Sequence, residues 1–410
     1  MLSGDIGFMI ICSALVLLMT PALAFFYGGF VPRKNAISTM MMSIYCMGIA
    51  TIMWVLFGFA LAFGGNTPGG IIGGQEFFFL NGVQGFGNMD GVLGTDGLLF
   101  AMFQMMFGII TTAIISGSVV GKMRFKALAI FIPIWLVLVY YPLAHMAWGG
   151  GLFAFLGAID FAGGNVVHIS SGVTGLVLCL LLGKRKSKIE HRPHNIPFIL
   201  LGAALLLFGW FGFNAGSAVA ANDVAVHAFA TTAISSACAL FSWIMIDWFV
   251  GKKPTLVGAA TGMVVGLVAI TPGAAFVPLW ASMIIGLLVS PVCYFAIAVL
   301  KKKFGYDDTL DAFGCHGVGG IYGGIMTGLF CTKELNPEGH DGLIFGDATT
   351  FIAQIESIGI TLVFAVVGTL IAAGIVRLFT KLRASEREEK IGLDITDHGE
   401  TAYPAFNGLD

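Results

Sequence analysis

The stretch DFAGGNVVHISSGVTG, from Asp160 to Gly175, sets a histidine a few residues into an apolar helix. An imidazole at membrane depth is costly, so by default it marks a functional site. A second histidine stands in the same frame. Glycines follow His168 at +4 and +7 (Gly172, Gly175) and follow His316 at the same steps (Gly320, Gly323). Asp160 precedes the first histidine and Asp311 the second. Residues spaced in this way line one helical face, and glycine there lets a neighbouring backbone come close.

The surroundings of both histidines are those of an integral membrane protein. The chain is 57% hydrophobic and 11% charged, with a mean hydropathy of +0.90, whereas a soluble domain carries roughly 25% charged residues. Eleven segments are long and apolar enough to span a bilayer: about 6–30, 37–63, 98–120, 127–147, 164–183, 196–219, 227–249, 256–273, 278–300, 313–330 and 351–378. Of the 21 Lys and Arg, all but Lys333 fall in alternate gaps, around residues 33, 124, 186, 252, 302 and 383. Basic loops stay in the cytoplasm, so the expectation is N-terminus out and C-terminus in, as eleven spans require. Ala22-Leu23-Ala24 loosely resembles a signal-peptidase site, but no basic residue precedes Arg33, so the first segment is kept as a helix. The seven cysteines form no CxxC pair, which points to neither a disulfide framework nor a zinc site. No cofactor, metal or nucleic-acid partner is expected.

The histidine-bearing segments are the fifth and tenth. A repeat of five spans inverts the second copy, which implies a pseudo-two-fold axis in the membrane plane. The expected fold is therefore all-α: repeat 1 over about 6–183, repeat 2 over about 196–330, a long eleventh helix over about 351–378, and a tail from 381 to 410. The axis brings both histidines to the repeat interface at mid-membrane. Each lies just after a helix start, so the chain before it must dip inward as non-helical backbone, with Gly163-Gly164 and Gly314 permitting the path. Two helix N-termini near the rings disfavour imidazolium, and neutral imidazoles are expected.

Several longer motifs accompany these histidines: Phe26-Tyr27-Gly28-Gly29, Phe103-Gln104 with Phe107, Ala144-His145 to Gly151, Asp160 to His168, Gly209 to Ser217, Phe313 to Gly320, and the tail residues Gly392-Leu393-Asp394, His398-Gly399-Glu400 and Ala402-Tyr403. Together they resemble the ammonium transporter (Amt/Mep/Rh) family, in its prokaryotic Amt form, over nearly the whole chain. The resemblance implies a homotrimer in the cell membrane with one ammonium pathway per subunit, and no enzymatic activity. It makes Trp148, Phe107 and Ser217 an outer recruitment site supported by Asp160, and Phe107 with Phe213 a stacked gate. It makes His168 and His316 the paired histidines of a pore that Phe26, Tyr27 and Trp210 also line. Gly392, Asp394, His398 and Glu400 fall in a cytoplasmic tail through which many members respond to a PII-type signalling protein. One departure stands out: the family often reads Ala-Glu-Arg where this chain has Val120-Gly121-Lys122.

Ammonium and potassium are alike in size and charge, but only ammonium donates hydrogen bonds and can lose a proton. Aromatic faces attract either cation by about 0.5–2 kcal/mol. Discrimination must come from an apolar bore, where an ion forfeits solvation that neutral ammonia does not. The expected mechanism is deprotonation at the outer site and ammonia passage along the bore, with a proton relayed through the histidines and net charge moved. A passive ammonia channel and an ammonium sensor of the same fold are the alternatives. Taken singly, each residue has a plainer role: a membrane histidine as a helix–helix hydrogen-bonder, Asp160 as an N-cap, Trp148 as an interfacial belt residue, the Phe pair as core. His145 and His227 are expected to be structural. A zinc enzyme is disfavoured, since no HExxH occurs.

Overall fold

The computed structural model describes residues 3–83, 97–185, 192–251 and 253–403. Residues 84–96, Lys186, Lys188, Lys252 and tail residues 404–410 lie outside the described residues.

Among the described residues the regular structure is helical, with two isolated backbone bridges, Asn66 with Gly73 and Met123 with Arg383. Among the described residues ten helices are long and apolar enough to cross a membrane: α1 Gly4–Phe30, α2 Arg33–Phe63, α3 Gly97–Ser116, α4 Phe125–Trp148, α5 Gly164–Leu182, α6 Ile196–Gly216, α7 Asp223–Gly251, α8 Leu256–Gly273, α9 Leu279–Phe304 and, last of the ten, Ala348–Arg377. Between the last two lies α10, a π turn Phe313–Gly317 that runs into helix Val318–Phe330. The helix Ala348–Arg377 is α11. The expected count of eleven thus meets ten that qualify by length and composition. The segment that falls short, α10, is helical but carries His316 and seven glycines between Phe313 and Phe330, which lower its hydropathy.

Side-chain caps set several of these boundaries. Asn195 accepts from the Phe198 amide and Thr255 from the Gly258 amide, starting α6 and α8, and Asp347 accepts from Thr349 at the start of α11. Each cap satisfies amides that would otherwise lack a partner.

Glycine sets how closely the helices pack. Gly202, Gly209 and Gly212 of α6 lie against Phe26, Met19 and Leu15 of α1, and Gly262 and Gly266 of α8 against Trp243 and Ala239 of α7. The histidine helices α5 and α10 meet in the same way. A Cβ on Gly172 would collide with the backbone nitrogen of Gly317, and one on Gly320 would come within 3.2 Å of the Gly164 carbonyl. The hydrophobic windows of α3, α5 and α8 are each 83% buried, against 33% for α7 and α9. The histidine helix α5 is therefore central, and α7 and α9 peripheral.

Both histidines sit in π turns, Gly164–Ile169 and Phe313–Gly317, a distortion that often marks functional sites. Non-helical chain precedes each turn, as expected. In the first, Gly163 takes the left-handed conformation at φ +117°. In the second, that place belongs to Asp311 at φ +59° and not to Gly314, which lies inside the π turn against Ile297. Gly163 and Asp311 are 148 positions apart, the same offset as His168 and His316.

Candidate functional site

A cavity of about 800 Å³ opens among the ends of α3, α4 and α6, and Gln104, Phe107, Trp148, Asp160 and Ser217 line it. The Trp148 ring meets Phe107 edge-on at 5.7 Å and 81°. Its indole N–H donates to the Asp160 main-chain carbonyl at 2.7 Å, which holds the ring against the cavity. The Ser217 hydroxyl donates to the Phe213 carbonyl at 2.8 Å and keeps its oxygen free to accept. Beneath them Phe107 and Phe213 stack at 4.3 Å and 25°, both almost fully buried.

The Asp160 carboxylate is engaged by its own backbone. It accepts from the amides of Gly163 at 2.9 Å, Gly164 at 2.5 Å, Asn165 at 2.8 Å and Val166 at 3.2 Å. It therefore does cap the turn, and through its carbonyl it also positions Trp148. The expected partner in the second copy, Asp311, does something else: it pairs with Lys301 at 2.6 Å. The carboxylate that accepts a π-turn amide there is Asp308, from Phe313 at 2.8 Å. Asp308 lies eight residues before His316, as Asp160 lies eight before His168. That spacing is the signal by which the sequence could have revealed it.

On the far side of the Phe pair is a cavity of about 10 Å³, room for roughly one water-sized molecule. Phe213, Trp210, His168 and His316 line it together with apolar Leu23, Ile110, Ile114 and Val264. The two imidazoles join Nδ1 to Nδ1 at 3.2 Å. One Nδ1 must donate and the other accept, so at least one ring is uncharged. His168 stacks on Trp210 at 5.3 Å and 23°, and the Trp210 indole donates to Thr271 at 2.9 Å. The buried Nε2 of His168 has no protein partner among the described residues.

Phe26 and Tyr27 are not part of this lining. The Tyr27 hydroxyl donates to the Ile114 carbonyl at 3.3 Å, and Phe26 packs edge-on against Phe30 at 5.1 Å. Phe30 lines a third cavity of about 610 Å³ together with Arg185, Lys301, Tyr306 and Asp307. His145 and His227, expected to be structural, are bonded to the Ala62 and Val277 carbonyls at 3.0 and 2.8 Å. Among the described residues no group of three or more His, Cys, Asp or Glu could hold a metal.

The model of the Ammonium Transporter Family matches residues 7–403. The chain belongs to this family. It is 53% identical over 401 residues to the ammonium transporter of Bacillus subtilis strain 168, covering 98% of each chain. Its fold superposes on the crystal structure of Saccharomyces cerevisiae Mep2 with a TM-score of 0.87 at 34% identity, over 93% of this chain and 87% of that one. A structure titled Sensor Amt Protein also matches, with a TM-score of 0.87 at 26% identity, over 96% and 98%. Membership makes this a multi-pass membrane protein whose relatives handle ammonium.

In this family member the tail is strapped to the loops. Ser385 and Glu388 form a capping box for the short helix α12, Glu386–Ile391. Arg124 grips Glu388 with two bonds of 2.8 and 2.7 Å. The buried Asp394 accepts from the Ser38 amide at 2.8 Å, and Gly392 at φ +114° lies against the Lys34 backbone. The His398 ring meets Phe125 edge-on at 5.0 Å, and the Glu400 amide reaches the Asp394 carbonyl at 3.3 Å. Lys122, the departure from the family pattern, is fully buried and reaches Asp307, which also takes a two-pronged grip from Arg185 at 2.9 and 2.6 Å. Burial pushes the Asp307 carboxyl up, but Arg185 and Lys122 outweigh it and hold the carboxyl at about 2. The members of this cluster come from three separate loops, so no local pattern in the sequence announces it.

Proposed function

We propose that the chain transports ammonium by binding it at the Trp148–Phe107–Ser217 cavity, removing its proton and passing ammonia along the histidine-lined bore. The observation that carries this reading is the separation of two unlike cavities by the Phe107–Phe213 stack. The outer one is roomy and offers aromatic faces and oxygen acceptors. The inner one is narrow and apolar, with two mutually bonded imidazoles as its polar groups. A cation crossing that stack loses its hydration without replacement, at a cost of several kcal/mol, while ammonia loses far less. Desolvation also favours release of the proton. Hydrogen-bonded histidines are suited to relay it, and the reading adopted is relay with net movement of charge.

The same reading takes α10 as a spanning segment, with eleven spans in all. Helices α1–α5 and α6–α10 form inverted repeats, the N-terminus lies outside, and the tail from 381 lies in the cytoplasm. The shared 148-residue offset of the histidines, the left-handed residues and the capping carboxylates supports the repeat. A homotrimer in the plasma membrane and a PII-type partner at the tail complete it, both by likeness to the family. Transport is preferred over sensing because the relative at 53% identity is named a transporter, while the sensor match stands at 26%.

Ammonium- and potassium-evoked currents in proteoliposomes test the mechanism. Wild type should carry ammonium current and little potassium current, and His168→Ala or His316→Ala should abolish the ammonium current. Ammonia flux without any current would replace relay with a passive channel. Unchanged currents in both variants would end the mechanism.

A further inference from the structure

We infer that Glu338 is a cation-collecting carboxylate of the outer cavity, one that raises the local concentration of ammonium at the Trp148–Phe107 site without touching the bound ion. This rests on the reading of that cavity as the substrate mouth. Glu338 lines the same 800 Å³ space as Trp148, Phe107 and Ser217, although it belongs to the loop between α10 and α11.

The loop holds it there firmly. Asn336-Pro337-Glu338-Gly339 is a β-turn closed by the Gly339 amide on the Asn336 carbonyl at 3.0 Å. Proline in second place and glycine in fourth suit such a turn. The Asn336 side chain accepts from the Glu338 amide at 3.2 Å and is itself 4% exposed. Gly339 rests on the Phe276 ring, 2.5 Å from where a Cβ would stand, and the Thr332 amide bonds the Phe276 carbonyl at 2.8 Å. Phe276 packs in turn on Phe161 at 5.8 Å, next to Asp160. The turn is thus fastened to the wall of the cavity.

The charges are one-sided. Asp160 and Glu338 are the charged residues among those lining the cavity, and no Lys or Arg is among them. The Asp160 carboxylate is spent on four amides, whereas the exposed Glu338 carboxylate has no ion pair or hydrogen bond among the described residues. Lys333, on the same loop, is paired with Asp341 at 3.4 Å. A cleft lined by one sign of charge focuses its field and concentrates the opposite ion. Such a field acts on charge alone, so it favours collection and leaves selectivity to the gate and bore.

The test is the concentration dependence of ammonium current in proteoliposomes for wild type, Glu338→Gln, Glu338→Lys and Glu338→Asp, at about 10 mM and about 300 mM ionic strength. At low ionic strength Glu338→Gln should raise the half-saturating concentration about two- to fivefold with the maximal current unchanged. Glu338→Lys should raise it further, and Glu338→Asp should stay near wild type. At high ionic strength the differences should collapse. Equal half-saturation in wild type and Glu338→Gln at low ionic strength would overturn the inference, as would a shift that survives high salt or appears only in the maximal current. A wild type carrying no ammonium flux would remove the transport reading and this inference with it.

Discussion

His168 and His316, 148 residues apart in the chain, face each other Nδ1 to Nδ1 at 3.2 Å inside an otherwise apolar cavity. Each ring is the main polar partner the other has, so neither is independent of its neighbour.

That dependence should show as non-additive stability. Replacing either histidine by alanine strands the other Nδ1 in apolar surroundings, at about 1–3 kcal/mol. The double variant removes both partners and should cost less than the two single losses together. Thermal unfolding in detergent of the two single variants and the double variant measures this. Additive losses would mean that the two rings do not share a bond.

Asp160→Ala should be among the more damaging changes outside the bore. It strands four backbone amides at once, and bonds to a charged acceptor are worth about 1.5–3 kcal/mol each before relaxation and water offset the loss. The π turn carrying His168 should loosen together with the seat of Trp148. A markedly lower unfolding temperature, with ammonium transport reduced, is expected. Wild-type stability in this variant would show that the turn holds without its cap.

Gly172→Val probes the crossing of α5 and α10. The added side chain meets the backbone of Gly317, which cannot yield as a flexible side chain would, so the helices must separate. Transport should be lost and stability reduced by about 1–3 kcal/mol. Gly359→Val on α11, where nothing lies within 4 Å, serves as the control and should retain both.

Asp307→Asn should destabilise the protein by up to about 3 kcal/mol near neutral pH, because it leaves Lys122 buried without its counter-charge. The Asp307 carboxyl is held below its ordinary value of 3.8, at about 2. A depressed acid contributes stability that is fully present above the ordinary value and is lost as pH falls through the depressed one. The gap in unfolding temperature between wild type and the variant should therefore narrow as pH falls from about 4 to about 2. A gap that is constant across this range would mean that the carboxylate charge is not what matters.

Much of this molecule can be read from the chain alone. Ten of the eleven expected segments appear as helices long and apolar enough to span, because twenty-residue apolar runs have few other folds open to them in lipid. The expected eleventh, around His316, is helical too, but its glycines and histidine lower its hydropathy. The repeat was legible in the glycines after each histidine, since periodicity survives where composition does not. The acid that corresponds to Asp160 is Asp308 and not Asp311, since the eight-residue spacing to the histidine belongs to Asp308.

What tertiary structure alone decided is which groups meet. Nothing in the local sequence says that Asp307 joins Lys122 to Arg185, or that a turn after α10 overhangs the cavity of Trp148. Hydropathy and glycine spacing are properties of neighbours along the chain, so they specify helices and the faces those helices present. A site assembled from four helices and a distant loop depends on crossing positions, and these are set by how side chains interlock once the helices are packed.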